Sequence, residues 1–124
     1  MDQRATKVLL IDDDPFIADM YALKLKAEGF QIEVARDGKE GVKKVAEFDP
    51  DVILLDIVMP GLDGFGVLED LRKKGDRRKV ILLTNLGQKE DVERGMRLDA
   101  DDYVIKAHFT PSEVVEKIRS ILQK

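Results

Sequence analysis

Short apolar runs alternate along this chain with segments in which apolar residues recur every three or four positions. The runs predict five strands, at residues 7–11, 31–35, 51–56, 80–83 and 103–106. The intervening and final segments predict five helices, which begin near residues 15, 38, 64, 89 and 111. Strict alternation of strand and helix indicates an α/β fold, a doubly wound five-stranded parallel sheet with helices on both faces.

The run from Val52 to Leu55 contains no polar residue, and the carboxylate of Asp56 follows it directly. An unbroken apolar run bounded by turn signals is typical of a strand that is buried on both faces. Open α/β sheets bind their ligands at the carboxyl ends of the strands. Asp56 is therefore the first candidate for a reacting group.

The first helix has a clear start signal, because Asp14 fits its N-cap and a proline follows. Phe16, Met20, Leu23 and Ala27 recur at helical spacing and predict its buried face. The same spacing predicts the inward faces of the later helices, beginning with Val42, Val45 and Ala46 in the second.

Composition excludes several classes of protein. The chain has 124 residues, enough for one domain, and it contains no cysteine and one histidine. Disulfides, thiolate zinc sites and multi-histidine metal sites are therefore excluded. A net charge of −4 argues against binding nucleic acid through overall charge, so no direct nucleic-acid partner is expected. No apolar run approaches membrane length and no signal-peptide pattern is present, so we expect a cytoplasmic chain without membrane contact.

Polar groups follow four of the predicted strands without being needed by the strands themselves. Asp12 and Asp13 follow the first, Asp56 ends the third, Thr84 ends the fourth, and Lys106 ends the fifth. With the flavodoxin-like strand order 2-1-3-4-5, which is assumed here, all of these ends converge on one crevice.

Three neighbouring carboxylates repel one another unless cations join them. Lys106 supplies one positive charge, and an oxygen-preferring divalent ion, Mg²⁺, supplies the other two. A neutral site would allow Asp56 to be an ionised nucleophile towards a phosphoryl group. Thr84 would donate to a phosphoryl oxygen, and Lys106 would neutralise charge on the transferring group.

From Lys7 to Leu122 the chain resembles the receiver domains of two-component response regulators, of the stand-alone chemotaxis-regulator type. The motifs that carry the resemblance are VLLIDDDP, LLDIVMPGLDG, a strand that ends in Thr84, and DADDYVIK, which ends in Lys106. The resemblance implies a single receiver domain, residues 1–124, in which Asp56 accepts a phosphoryl group from the phosphohistidine of a sensor kinase or phosphotransfer protein.

The resemblance also implies the remaining roles at the site. Asp13, Asp56 and the backbone carbonyl of Val58 would bind Mg²⁺, with Asp12 acting through water. Thr84 and Tyr103 would form a switch pair that reshapes the face of the fourth helix, fifth strand and fifth helix for a downstream protein effector. Such a chain is not an enzyme beyond catalysing its own phosphorylation and dephosphorylation.

Several residues depart from the family pattern. Asn85 stands where the family has a small residue, and Ala107 replaces the proline that follows the family's lysine through a cis bond. Cis and trans remain open for the Lys106–Ala107 bond, because a cis bond before a non-proline residue costs about 3 kcal/mol. Val58 and Leu86 occupy the two positions that set phosphoryl lifetime in the family, and neither holds an attacking water, which predicts a long-lived phosphorylated form.

Three alternatives stay open. Asn85 and Ala107 are compatible with a receiver-like interaction module that is never phosphorylated. Asp12-x-Asp14 could be the motif of a metal-dependent phosphatase of the haloacid dehalogenase family, although Phe16 stands where that motif wants Thr or Val. The chain could also be a receiver cut from a longer regulator.

Overall fold

The computed structural model describes residues 5–84, 89–106 and 110–123. Strands and helices alternate in it as the sequence predicts. In chain order they are β1 (Lys7–Ile11), α1 (Pro15–Ala27), β2 (Gln31–Ala35), α2 (Gly38–Phe48), β3 (Val52–Asp56), α3 (Gly64–Lys73), β4 (Lys79–Thr84), α4 (Lys89–Arg97), β5 (Asp102–Ile105) and α5 (Pro111–Leu122).

The five strands form one parallel sheet in the order β2-β1-β3-β4-β5. This confirms the predicted fold class and the assumed strand order. β1 and β3 are neighbours, with Ile11 paired to Leu55, and the winding direction reverses between them. The carboxyl ends of these two strands therefore flank the position where such sheets bind ligands.

The sheet separates two apolar layers. On one face Leu9, Ile53 and Leu82 pack with side chains of α2 and α3. On the other face the alternate strand residues, such as Leu10 and Leu54, pack with side chains of α1 and α5. All five residues of β3 are buried, as expected for a central strand covered on both sides.

The buried face predicted for α1 is wrong. Phe16 is 85% exposed and Leu23 is 75% exposed, whereas Ala18, Tyr21 and Leu25 are buried. Apolar residues lie nearly all around this helix, so helical spacing fits two faces equally well. The predicted cap is confirmed, because the Asp14 side chain accepts hydrogen bonds from the backbone N–H groups of residues 16 and 17.

The face predicted for α2 is correct only in part. Val45 is buried and Val42 packs against the core, but Ala46 is exposed. Gly41 is buried instead, and a Cβ there would lie 2.6 Å from Cδ1 of Ile11. The backbone of α2 thus approaches the Ile11 side chain closely at this glycine, which apolar spacing does not reveal.

No helix between residues 5 and 123, outside the two gaps at 85–88 and 107–109, is long and apolar enough to cross a membrane.

Candidate functional site

The sheet brings the predicted polar strand ends to one edge. The backbone N–H of Asp12 donates to Ala35 O at the end of β2 (3.0 Å), which continues β1 by one residue. The backbone N–H of Lys106 donates to Thr84 O (3.0 Å), which continues β5 in the same way. Asp56 ends β3 between them, so the side chains from β1, β3 and β5 share one crevice.

Lys106 joins the carboxylates of two different strands. Its Nζ lies 3.0 Å from Asp12 Oδ2 and 3.1 Å from Asp56 Oδ2, and its side chain is only 13% exposed. Burial acts to lower the pKa of Lys106, but the two adjacent carboxylates outweigh it and raise this pKa above its usual value. The lysine is therefore a firmly charged ammonium group at neutral pH.

For the pKa of Asp56, burial outweighs the charge of the neighbouring lysine. It is 4% exposed, and burial raises the pKa of its carboxyl group from 3.8 to about 7. Lys106 opposes this rise, and the nearby charge of Asp12 adds to it. One positive charge is thus too little for both buried carboxylates, and further positive charge would be needed to keep Asp56 fully ionised at neutral pH.

The donor set fits a hard divalent cation. Asp12, Asp13 and Asp56 each offer one carboxylate oxygen, and these oxygens all lie within 4.8 Å of one another. Asp12 is fully buried and Asp13 is exposed. Asp12 Oδ1 accepts the backbone N–H of Asp14 (2.9 Å), whereas its buried Oδ2 accepts no well-aligned hydrogen bond although it faces the ammonium of Lys106. A buried oxygen with spare capacity beside two other carboxylates is the kind of group that Mg²⁺ recruits.

The remaining predicted residues lie around this centre. Thr84 is buried, and its hydroxyl donates a long hydrogen bond to Val104 O (3.4 Å). Val58 is 58% exposed, and its backbone N–H donates to Asp56 Oδ1 (3.3 Å). Tyr103 on β5 is 36% exposed. The predictions made for Asn85, Leu86 and the Ala107 peptide bond lie outside the described residues.

Two residues at the site escaped the sequence analysis. A Cβ at Gly64 would lie 2.3 Å from Asp56 O, so only glycine lets α3 begin this close to the acceptor strand. Tyr21 is buried in α1, and burial raises the pKa of its phenol while the charges of Lys106 and Asp12 act on it in opposite directions. The position of Gly64 directly after the cap residue Asp63 was visible in the sequence. Nothing in the spacing of residues indicates a role for Tyr21.

A parallel five-stranded sheet with an acidic pocket and a lysine at its switch point defines a class of signalling domain. The family described as response regulator receiver domain matches residues 8–119, and the chain belongs to it.

Two named relatives are similar to this chain along most of its length. The chain is 37% identical over 124 residues to the DNA-binding response regulator MtrA of Mycolicibacterium smegmatis, covering all of this chain and 54% of MtrA. It is 41% identical over 118 residues to a probable transcriptional regulator ycf27 of Guillardia theta, covering 95% and 46% of the two chains. The chain therefore spans about half the length of the curated relatives it matches.

Solved structures agree with the family. The receiver domain of Francisella response regulator 1452 is similar with a TM-score of 0.88 and 35% identity, covering 95% of this chain and 97% of that one. The chemotaxis protein CheY4 of Vibrio cholerae is similar with a TM-score of 0.88 and 27% identity, covering 95% and 99%.

These names correct one expectation. The net charge led us to expect no nucleic-acid partner, and that expectation is wrong for this group of proteins, because the relatives are named as DNA-binding or transcriptional regulators. The error arose because the charge of one domain says nothing about a partner that other parts of a regulator bind.

Proposed function

We propose that this chain is a phosphoacceptor, in which Asp56 receives a phosphoryl group from the phosphohistidine of a sensor kinase or phosphotransfer protein. The observation that carries the proposal is the bridge of Lys106 between Asp12 and Asp56, because it places a fixed positive charge beside a buried carboxylate at the carboxyl edge of the sheet. Family membership supports the same chemistry.

In the proposed transfer a carboxylate oxygen of Asp56 attacks phosphorus and forms a P–O bond. The P–N bond of the donor phosphohistidine breaks, and the imidazole leaves with the electron pair and takes up a proton. Lys106 is already within 3.1 Å of Asp56 Oδ2, so its ammonium can follow the negative charge onto the phosphoryl oxygens with little reorganisation. The buried hydroxyl of Thr84 has only a long bond to give up when it donates to a phosphoryl oxygen.

Mg²⁺ fits this site, where Asp12, Asp13, Asp56 and the carbonyl of Val58 would hold it. When bound it supplies charge neutralisation for the carboxylates and for the phosphoryl oxygens. The chain's own residues provide the rest. Asp12 lies in the buried floor of the site, and the ammonium group of Lys106 contacts both Asp12 and Asp56.

We further propose that the phosphoryl group acts on Thr84 and Tyr103 as a switch pair. Thr84 would turn from Val104 O to the phosphoryl group, and Tyr103, which is now 36% exposed, would turn inward. The surface of α4, β5 and α5 would change in consequence and alter the contact with a downstream partner. The relatives named as transcriptional regulators support an output that acts on DNA through the rest of such a regulator.

Intact-mass measurement tests the proposal directly. The chain is incubated with acetyl phosphate, with and without Mg²⁺, and compared with Asp56→Asn. We expect one added phosphoryl group on the wild-type chain in Mg²⁺ only, and none on Asp56→Asn. Asp19→Asn, which removes a carboxylate that is 78% exposed on α1, serves as the matched control and should still be labelled.

Labelling that survives in Asp56→Asn would refute the assignment of the acceptor. An unlabelled wild-type chain would instead favour a receiver-like interaction module that is never phosphorylated. Hydrolysis of a generic phosphate ester that Asp12→Asn abolishes and Asp56→Asn does not would favour the phosphatase alternative.

A further inference from the structure

Helix α4 is anchored to the domain by very little apolar surface. Of its nine residues, which the structure describes in full, Gly95 alone is buried. Val92 is partly buried and Met96 is 42% exposed. Because most helical stability in a protein comes from packing of an apolar face, α4 lacks the support that the other helices have.

One of its contacts is made by the helix backbone itself. A Cβ at Gly95 would lie 2.1 Å from Cδ1 of Leu82 and 3.8 Å from Cε1 of Phe65. The backbone of α4 therefore rests directly on the side chain of Leu82. Leu82 is two residues before Thr84 in β4, so the two side chains project from the same face of the strand.

A second contact is made by a charged side chain. The guanidinium carbon of Arg94 lies 4.3 Å from the centroid of the Phe65 ring, within the range of a cation–π contact. Phe65 is itself 5% exposed and belongs to the first turn of α3. Unlike the buried apolar residues of α1, α3 and α5, Arg94 is itself exposed.

The ring of Phe65 is tied to the strand that carries the acceptor. Gly64 precedes it, donates its N–H to Ile57 O (3.0 Å), and is so close to Asp56 O that a Cβ would lie 2.3 Å away. The hydrogen bond of Gly64 and its close approach to Asp56 O tie the start of α3, where Phe65 lies, to the end of β3. Phe65 in turn contacts Arg94 of α4.

We propose that the stack of Arg94 on Phe65, the Arg94–Phe65 latch, holds α4 in the position described here and opens when the end of β3 changes on phosphorylation. The inference rests on the proposed role of Asp56 as phosphoacceptor. A single exposed cation–π contact shifts a two-state population by only about two- to five-fold. The latch is therefore weak enough to open and strong enough to bias α4 towards one position.

Linkage gives the latch a second consequence. If opening favours the phosphorylated form, then weakening the latch must favour phosphorylation, by at most the same factor.

Hydrogen exchange measured by mass spectrometry tests the latch in the unphosphorylated chain. We expect the α4 amides of Arg94→Gln to exchange about two- to five-fold faster than those of the wild type. Arg97→Gln is the matched control, since it removes the same charge from an exposed position of the same helix and has no aromatic contact among the described residues. Equal exchange in the two variants would overturn the proposal.

Phe65→Leu removes the ring while keeping an apolar side chain in the core. In that background Arg94→Gln should change α4 exchange no further, and fully additive effects would refute a direct contact. Binding of beryllofluoride, a non-covalent stand-in for the phosphoryl group, then tests the coupling to Asp56 at equilibrium. Arg94→Gln should bind it more tightly than Arg97→Gln, by at most the same two- to five-fold. Faster α4 exchange with an unchanged affinity for beryllofluoride would overturn the coupling. A wild-type chain that is never labelled by acetyl phosphate would refute the proposed function, while the exchange experiment would still decide whether the latch exists.

Discussion

The burial of Asp56 predicts that the metal-free domain loses stability as the pH rises towards neutrality. Burial raises the pKa of this carboxyl group in the folded chain from 3.8 to about 7. In the unfolded chain the group titrates near its ordinary value, so the two states bind different numbers of protons between these limits. For a raised carboxyl pKa the contribution to stability is fully present below pH 3.8 and is lost as the pH rises through about 7.

The structure also bounds the size of the effect. The difference between a pKa of 3.8 and one of about 7 corresponds to about 4 kcal/mol when the group is fully ionised. Asparagine at position 56 removes the buried charge and keeps the shape of the side chain. We therefore expect Asp56→Asn to exceed the wild type in free energy of unfolding by about 2–4 kcal/mol at pH 8, and by little at pH 4.

Urea unfolding in EDTA, followed by circular dichroism at several values between pH 4 and pH 8, measures this difference. Comparing the two proteins at each pH removes the titration of all other groups. Asp19→Asn, on the exposed side of α1, should give a small offset that does not change with pH. Added Mg²⁺ should restore stability to the wild type at pH 8 more than to Asp56→Asn. Parallel pH profiles for the wild type and Asp56→Asn in EDTA would refute the reasoning.

Three further outcomes are expected. Gly64→Ala should lower the free energy of unfolding by about 2 kcal/mol or more, because the new Cβ would lie 2.3 Å from a backbone atom. Gly66→Ala should lower it less, because its Cβ would meet only a movable side chain. Equal effects of the two substitutions in thermal melts would contradict this reasoning. Asp99 has a φ of 67°, so Asp99→Gly should raise the free energy of unfolding by up to about 1 kcal/mol, and a loss on urea unfolding would contradict the strain argument. Phosphate release after acetyl phosphate labelling should be slow because the exposed side chain of Val58 holds no attacking water, and loss within about a minute would count against it.

The strands and their order could be predicted because apolar runs and alternation leave few topologies open. The buried face of α1 could not. Phe16 and Leu23 are seven residues apart, as are Ala18 and Leu25, so spacing alone does not choose between the two faces. Apolar spacing predicts a face reliably only where the opposite face is polar, as in α3 and α5.

The candidate site shows the same division between chemistry and geometry. That Asp12, Asp56 and Lys106 end three strands could be seen in the sequence, and parallel topology brings such ends together. That one ammonium group lies 3.0 Å and 3.1 Å from the two carboxylates, and that burial raises the pKa of Asp56 in spite of it, depends on three-dimensional packing that sequence spacing does not encode. The requirement for glycine at position 64 is equally three-dimensional.

The positions of β3 and β5 in the sheet bear on how the two strands would serve the proposed phosphoryl signal. The strand β3 has partners on both sides and is buried along its whole length, so we expect its amides to open only with the domain as a whole. β5 lies at the edge of the sheet and one of its four residues is fully buried, so we expect it to open more easily. Under the proposed function, the phosphoryl group would be carried by the most protected strand, and its effect would be displayed on a less protected one.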